Sequence, residues 1–279
     1  MKARIKFQKY GAMKFIGHLD VMRYFQKLFR RAEIDSEYTK GYSPHQIMSF
    51  AAPLGVGLTS DGEYLDVQLL SCDAPEIMVE RMNIVSLEGF RIIGFHPLLD
   101  QIEHQKVITA MSLVTAADYM VSLKDGYSIQ GISTQQEFKN KFNEFLAQSE
   151  IVVDKKTKNS ETAVDIKPMI TFCAFDEEEY RDKLQTFVLP EAALPITNQI
   201  VGYNIPIDSV ADSYENGIRI YLQVDTGSAS NLKPELVMEA FYRYLDLTFE
   251  KFAWQVHRIE VYTKDDESGK VIALNMLER

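Results

Sequence analysis

Residues 11–57 read GAMKFIGHLDVMRYFQKLFRRAEIDSEYTKGYSPHQIMSFAAPLGVG, and the fold is decided here. Gly11 stops an alternating segment, residues 3–8, in which Ile5 and Phe7 face one way and Arg4 and Lys6 the other, as in a strand. A helix is expected over 17–34, with Leu19, Met22, Phe25, Phe29 and Ala32 as its buried stripe. Arg23, Lys27, Arg30 and Arg31 stand at i, i+4, i+7 and i+8 and share another face. Gly41 and Pro44 then set a turn that projects Tyr42, Ser43 and His45. Ile47, Ser49 and Phe50 open a strand, which Pro53, Gly55 and Gly57 end.

Working outward, residues 63–70 alternate as a strand. Pro75 starts a helix to about residue 85, with Ile77, Met78 and Met82 inward, and 90–95 close the first half as a strand. Residues 100–111 lack a clear period and read as a boundary. Beyond it, strands are expected at 117–124, 150–154, 183–189, 218–224 and 255–262. A helix capped by Ser133 buries Phe138, Phe142 and Phe145, and a second opens at Lys233-Pro234. Residues 155–160 form a basic turn, and 190–216, with three prolines, an inserted loop. The first half then runs strand, helix, strand, strand, helix, strand, and the second, with the insertion set aside and one strand more, is read as repeating that order. The expectation is α+β: two ferredoxin-like (βαββαβ) domains in tandem, 1–105 and 106–279, the second with an insertion at about 190–216. Each domain is a sheet with helices on one face. Phe25, Phe29, Leu65, Val67, Phe142 and Val224 should be buried core.

The 279 residues are ordinary in hydrophobic and charged content, and no apolar run approaches the ~20 residues that span a bilayer. No membrane partner and a cytoplasmic location are expected. The two cysteines, Cys72 and Cys173, are too few for a disulfide framework and too distant for CxxC. The net charge of −10 argues against a generic nucleic-acid binder, but it is uneven. Residues 1–50 hold ten Lys/Arg against four acids, so the other 229 residues carry −16. Four cations on one helix face without an interleaved acid repel one another, and an anion lying over them accounts for the pattern.

There is no Walker loop, GxGxxG, GxSxG or HExxH, and no CxxxCxxC to hold an iron–sulfur cluster. The five histidines, His18, His45, His96, His104 and His257, share no metal-ligand spacing. His18 and Asp20, two apart on a helix, do not face each other. His45, beside Tyr42 on the loop, is the better candidate for a ligand contact.

The segments 13–34, 38–57 and 63–69, with VDIKPMI (164–170), GSASNLKPELVMEA (227–240) and HRIEVY (257–262), resemble the bacterial radical SAM-linked protein family. The family's pattern is FxGHLDxxRxxxRxxRRA, YSxGFxPHPxxSFxxPLxxG and EYxDxxL, from which Tyr42, Gln46 and Ile47 depart. The resemblance implies association with a radical SAM enzyme; the iron–sulfur cluster and S-adenosylmethionine would belong to that partner, with no cofactor in this chain. By motif, His18, Asp20, Arg23, Gly41, Ser43, Pro44, His45, Ser49, Asp165, Lys167, Asn231, Lys233, His257 and Arg258 carry over as candidate positions. The first expectation is a non-catalytic RNA-binding or substrate-presenting accessory protein. Its anion surface would be Arg23, Lys27, Arg30 and Arg31 with Gly41, Tyr42, Ser43 and His45. A second is a metal-independent RNA-cleaving enzyme with His18 or His45 as base and Lys14 stabilising charge. A third is an adaptor that binds only protein.

Overall fold

A computed structural model describes residues 1–98, 108–156, 161–190 and 202–277. In the first half, strand β1 (Lys2–Lys9) leads to helix α1 (His18–Arg31), then to β2 (Met48–Phe50), β3 (Thr59–Gln68), α2 (Pro75–Ile84) and β4 (Phe90–Leu98). The second half opens with α3 (Ala110–Leu113), β5 (Ala116–Leu123) and α4 (Gln135–Leu146), then a hairpin of β6 (Val152–Lys156) and β7 (Glu161–Asp165). It continues through β8 (Ile170–Ala174), α5 (Glu177–Phe187), β9 (Tyr203–Asn204), β10 (Arg219–Asp225), α6 (Pro234–Tyr244), β11 (Trp254–Lys264) and β12 (Val271–Ala273).

The protein is α+β, built on one mostly antiparallel sheet of ten strands. Its order is β8-β10-β5-β11-β3-β1-β4-β9, with β2 beside β3 and β12 beside β11. Two separate sheets were expected; here the halves share one. They join where β11 runs parallel to β3 through only two residue pairs, His257 with Thr59 and Arg258 with Ser60. So short a ladder gives the join few backbone bonds, and side chains do the rest.

Helices α1 and α2 pack on one face over Ile5, Phe7, Leu65, Val67 and Phe95. Helices α4 and α6 cover a second cluster over Tyr119, Val121, Ile220, Leu222 and Val256. Phe25, Phe29, Leu65, Val67, Phe142 and Val224 are all buried, as their periods require. The stripe of α1 is turned from the one expected: Val21, Tyr24, Phe25, Leu28 and Phe29 are inside, whereas Leu19 is exposed and Met22 half-buried. In α2, Met78 and Met82 are inside and Ile77 is exposed.

Three further expectations are corrected. Residues 183–189 are not a strand; they fall mainly in α5. Asp176 caps that helix by accepting from the Glu179 N–H at 2.8 Å, and Glu177, Glu178 and Glu179 complement its N-terminal dipole. Tyr180, Leu184 and Phe187 form its apolar stripe, packed on Phe172, Tyr221, Met120 and Ile259. Those residues lie on the face opposite α4 and α6, so the helices are not confined to one face. The cap of α4 is Thr134, in a capping box with Glu137, and not Ser133.

The expected boundary at 105/106 lies outside the described residues, as do 157–160 of the basic turn and 191–201 of the insertion. The rest of the insertion crosses to the first half. Tyr203 and Asn204 pair with Phe95 and Gly94, where a Cβ on Gly94 would stand 2.4 Å from Asn204 Oδ1. Among the described residues, no helix is long and apolar enough to cross a membrane.

Candidate functional site

Burial of one side of α1 leaves Arg23, Lys27, Arg30 and Arg31 exposed on the other. Arg23 Nη1 lies 3.2 Å from Asp20 Oδ1, an exposed i,i+3 pair of the kind that contributes little. Arg30 Nε donates to the Gln26 carbonyl at 3.2 Å. Lys27, Arg30 and Arg31 have no carboxylate within ion-pair distance among the described residues. Three charges of the expected four are therefore open to an anion.

After α1 the chain forms a narrow excursion rooted at the bridges Ser36–Leu69 and Tyr38–Gln46. Buried Gln46 donates to Ser36 Oγ at 2.8 Å and pins its base. At the tip, Gly41 has φ +120°, which glycine tolerates, and Tyr42 is fully exposed beside exposed Ser43, Pro44 and His45. His45 Nδ1 lies 3.1 Å from Thr39 Oγ1, and the His45 N–H donates to the same oxygen at 3.1 Å. The root follows the C-terminal end of α1, where Arg30 and Arg31 lie; Arg23 stands about 12 Å back along the axis at 1.5 Å per residue.

His18, at the other end of α1, sets its half-buried ring edge-on against Phe50, with centroids 5.1 Å apart. Lys14 Nζ is 3.1 Å from Asp212 Oδ2. Lys14, His18 and His45 are therefore not brought together. Ser49 sits half-buried in β2, opposite Asp66 of β3.

Several motif positions are framework. Asp165 accepts from the N–H groups of Ile151 (2.8 Å) and Lys167 (3.0 Å), and Lys167 Nζ donates to the Gln148 carbonyl, which closes the base of the β6–β7 hairpin. His257 and Arg258 are neighbours on β11 and so point to opposite faces of the sheet. On the α1–α6 face, buried Arg258 clasps Glu63 with Nε to Oε1 at 2.8 Å, and its Nη2 reaches both Glu63 and the Ala52 carbonyl. Burial disfavours the Arg258 charge, yet the Glu63 carboxylate beside it holds its pKa above the ordinary value. On the other face, His257 Nδ1 lies 2.8 Å from Thr59 Oγ1 and Nε2 lies 2.9 Å from Asp61 Oδ2. These contacts are the side-chain clasp of the join.

Each face carries a cavity at this place. That on the α1–α6 side is about 360 Å³; it includes Arg258, Leu54, Asn231 and Lys233 at the start of α6. That on the α5 side is about 500 Å³, between the sheet, α5 and the returning segment 209–217. Asp61 anchors that segment by accepting from Ser209 Oγ (2.5 Å) and the Val210 N–H (2.8 Å). Burial would raise the Asp61 carboxyl, but His257, Ser209 and Val210 together hold it below its usual value. Behind the cavity, buried Asp118 accepts from Tyr180 Oη, Tyr262 Oη and Gln223 Nε2 at 2.7–2.9 Å. Even so, burial pushes its carboxyl up to about 6. Sequence reasoning did not single out Asp61, Asp118, Ser209 or Arg219, and Glu63 entered only as the first residue of the EYxDxxL segment. The one signal was a set of charged residues inside otherwise apolar strands. Among the described residues, no three His, Cys, Asp or Glu side chains gather as a possible metal set.

Fold and site together define an α+β protein whose two halves are clasped into one sheet, with an open basic helix face and a cavity on either side of the clasp. The chain belongs to the family described as an uncharacterized protein conserved in bacteria (DUF2344), whose model matches residues 2–234, more than four-fifths of its length. His257 and Arg258 lie beyond the matched span. No curated protein matches the chain.

Proposed function

We propose that this chain is a non-catalytic, RNA-binding accessory protein of a radical SAM enzyme, acting in the cytoplasm, with the cluster and S-adenosylmethionine held by the partner. The observation that carries RNA binding is the trio Lys27, Arg30 and Arg31, exposed and, among the described residues, without carboxylate partners, on a chain of net charge −10. The excursion that follows α1 adds an exposed tyrosine, Tyr42, suited to stacking on an unpaired base. The radical SAM association rests on the motif resemblance at 13–34 and 38–57. We further read each half as ferredoxin-like: β4-β1-β3-β2 and β11-β5-β10-β8 give the two halves the same strand order. That reading counts α3, β6, β7, α5, β9 and β12 as additions to the second half. Nothing in the placement of Lys14, His18 and His45 favours the RNA-cleaving reading.

The test is RNA binding by the full chain across a salt series. Log K should fall with log salt by roughly 0.7 per phosphate contacted on a single strand. Replacing Lys27, Arg30 and Arg31 by alanine should flatten the slope by about two units. An unchanged slope with binding intact would place the RNA elsewhere.

A further inference from the structure

The cavity on the α5 side holds a guanidinium with no carboxylate partner among the described residues. Three carboxylates line it, and each has a partner: Asp61 with His257, Asp212 with Lys14, and Glu177 with Arg181. Of the guanidinium groups lining it, Arg219 alone has no carboxylate within ion-pair distance among the described residues. Its backbone is fixed on both sides: the N–H donates to Gln135 Oε1 at 3.0 Å, and the carbonyl accepts from Gln135 Nε2 at 2.7 Å. The guanidinium lies over the Tyr221 ring, 6.0 Å from its centroid. Tyr221 is in turn stacked on Tyr180, with centroids 4.7 Å apart and planes 15° from parallel. The base of this cation is thus set before any ligand arrives, and its planar fork suits a phosphate or carboxylate.

Ile218, Leu184 and Ile259 give apolar wall, and Tyr214 a further ring. Ser122, Ser209 and Ser213 bring hydroxyls, and Asp61 and Asp212 carboxylate oxygens able to accept from amino or hydroxyl groups. A volume of about 500 Å³ is that of a small-molecule site. We propose that this cavity binds an anionic small molecule bearing a planar ring, of the class represented by nucleoside monophosphates. The phosphate sits on Arg219, the ring lies against the tyrosine and aliphatic wall, and the sugar and amino groups meet the hydroxyls and carboxylates. The unit is either a free nucleotide or one nucleotide of a strand. The assignment does not require the α1 face to bind RNA.

The test is calorimetric titration of the full chain with AMP, GMP, CMP and UMP in turn, with adenosine and ribose 5-phosphate as partial ligands. At least one nucleotide should bind saturably at one site. Each partial ligand should bind about tenfold or more weakly, and Arg219→Gln should weaken the nucleotide about 10- to 100-fold while leaving adenosine unchanged. A matching thermal melt shows that the variant is folded. The chain lacking Lys27, Arg30 and Arg31 should bind nucleotide as the wild type does, which separates failure here from failure of the basic face. Competition by a short oligonucleotide that Arg219→Gln abolishes indicates a nucleotide within a strand; its absence indicates a free one. Three results overturn the assignment: no saturable binding of any nucleotide at millimolar concentration, equal binding of the partial ligands, or indifference to Arg219→Gln.

Discussion

Arg258 and Glu63 lie 195 positions apart in sequence and are both almost fully buried, so neither charge has water to fall back on. Removing one partner leaves the other uncompensated, which typically costs 3–5 kcal/mol. Arg258→Ala should therefore lower unfolding free energy by about that amount in urea titration. The double variant Arg258→Met with Glu63→Leu should lose less, because neither charge is then stranded. A cost below about 1 kcal/mol for the single variant would mean that water reaches the pair. Asp118 supplies a second test. Its folded pKa, about 6, lies above the unfolded value of roughly 3.9. The folded state thus binds the extra proton between about pH 4 and 6, and stability falls as pH rises through that window, then levels. Asp118→Asn should remove that slope in urea titrations from pH 4 to 7. Asp61 works in the other direction: its folded pKa is lowered, so its contribution is present above the unfolded pKa and fades only as pH falls below about 4.

Helix α4 shows how local chemistry sets an element. Thr134 Oγ1 accepts from the Glu137 N–H at 3.2 Å, and Glu137 Oε2 accepts back from the Thr134 N–H at 3.1 Å. Thr134→Ala should cost about 1 kcal/mol and Ser133→Ala close to nothing, read from thermal melts. The opposite order would restore Ser133 as the cap. Both residues precede the same apolar stripe, so sequence located the start of the helix and missed its cap by one position. Strands β1, β3 and β10 were legible because their periods are clean. Helix α5 was not: its stripe is only three residues, Tyr180, Leu184 and Phe187. Residues 183–189 end in the apolar run Phe187-Val188-Leu189, which imitates a short strand. The cations of α1 were legible because they are local. The join was not, because the partners of His257 and Arg258 are brought to them by the whole topology.

At the scale of the molecule, one sheet and two touching cores favour unfolding as a unit. Ala51 and Tyr64, from the first half, belong to the core cluster of the second. The single tryptophan, Trp254, is buried in that second cluster. Its fluorescence should therefore lose native character at the same midpoint as far-ultraviolet circular dichroism, which reports on both halves. Two separated midpoints would show that the clasp yields before either core. The position of β11 also has a consequence in time. The strand that fills the middle of the sheet, β11, is synthesised more than a hundred residues after its neighbour β5. Until residues 254–264 leave the ribosome, β5 has an open edge along the length that β11 will occupy. At roughly 5–20 residues per second that exposure lasts on the order of ten seconds for every copy made. The nascent protein thus carries an unpaired strand edge through much of its synthesis, the kind of surface on which another unfinished chain can pair.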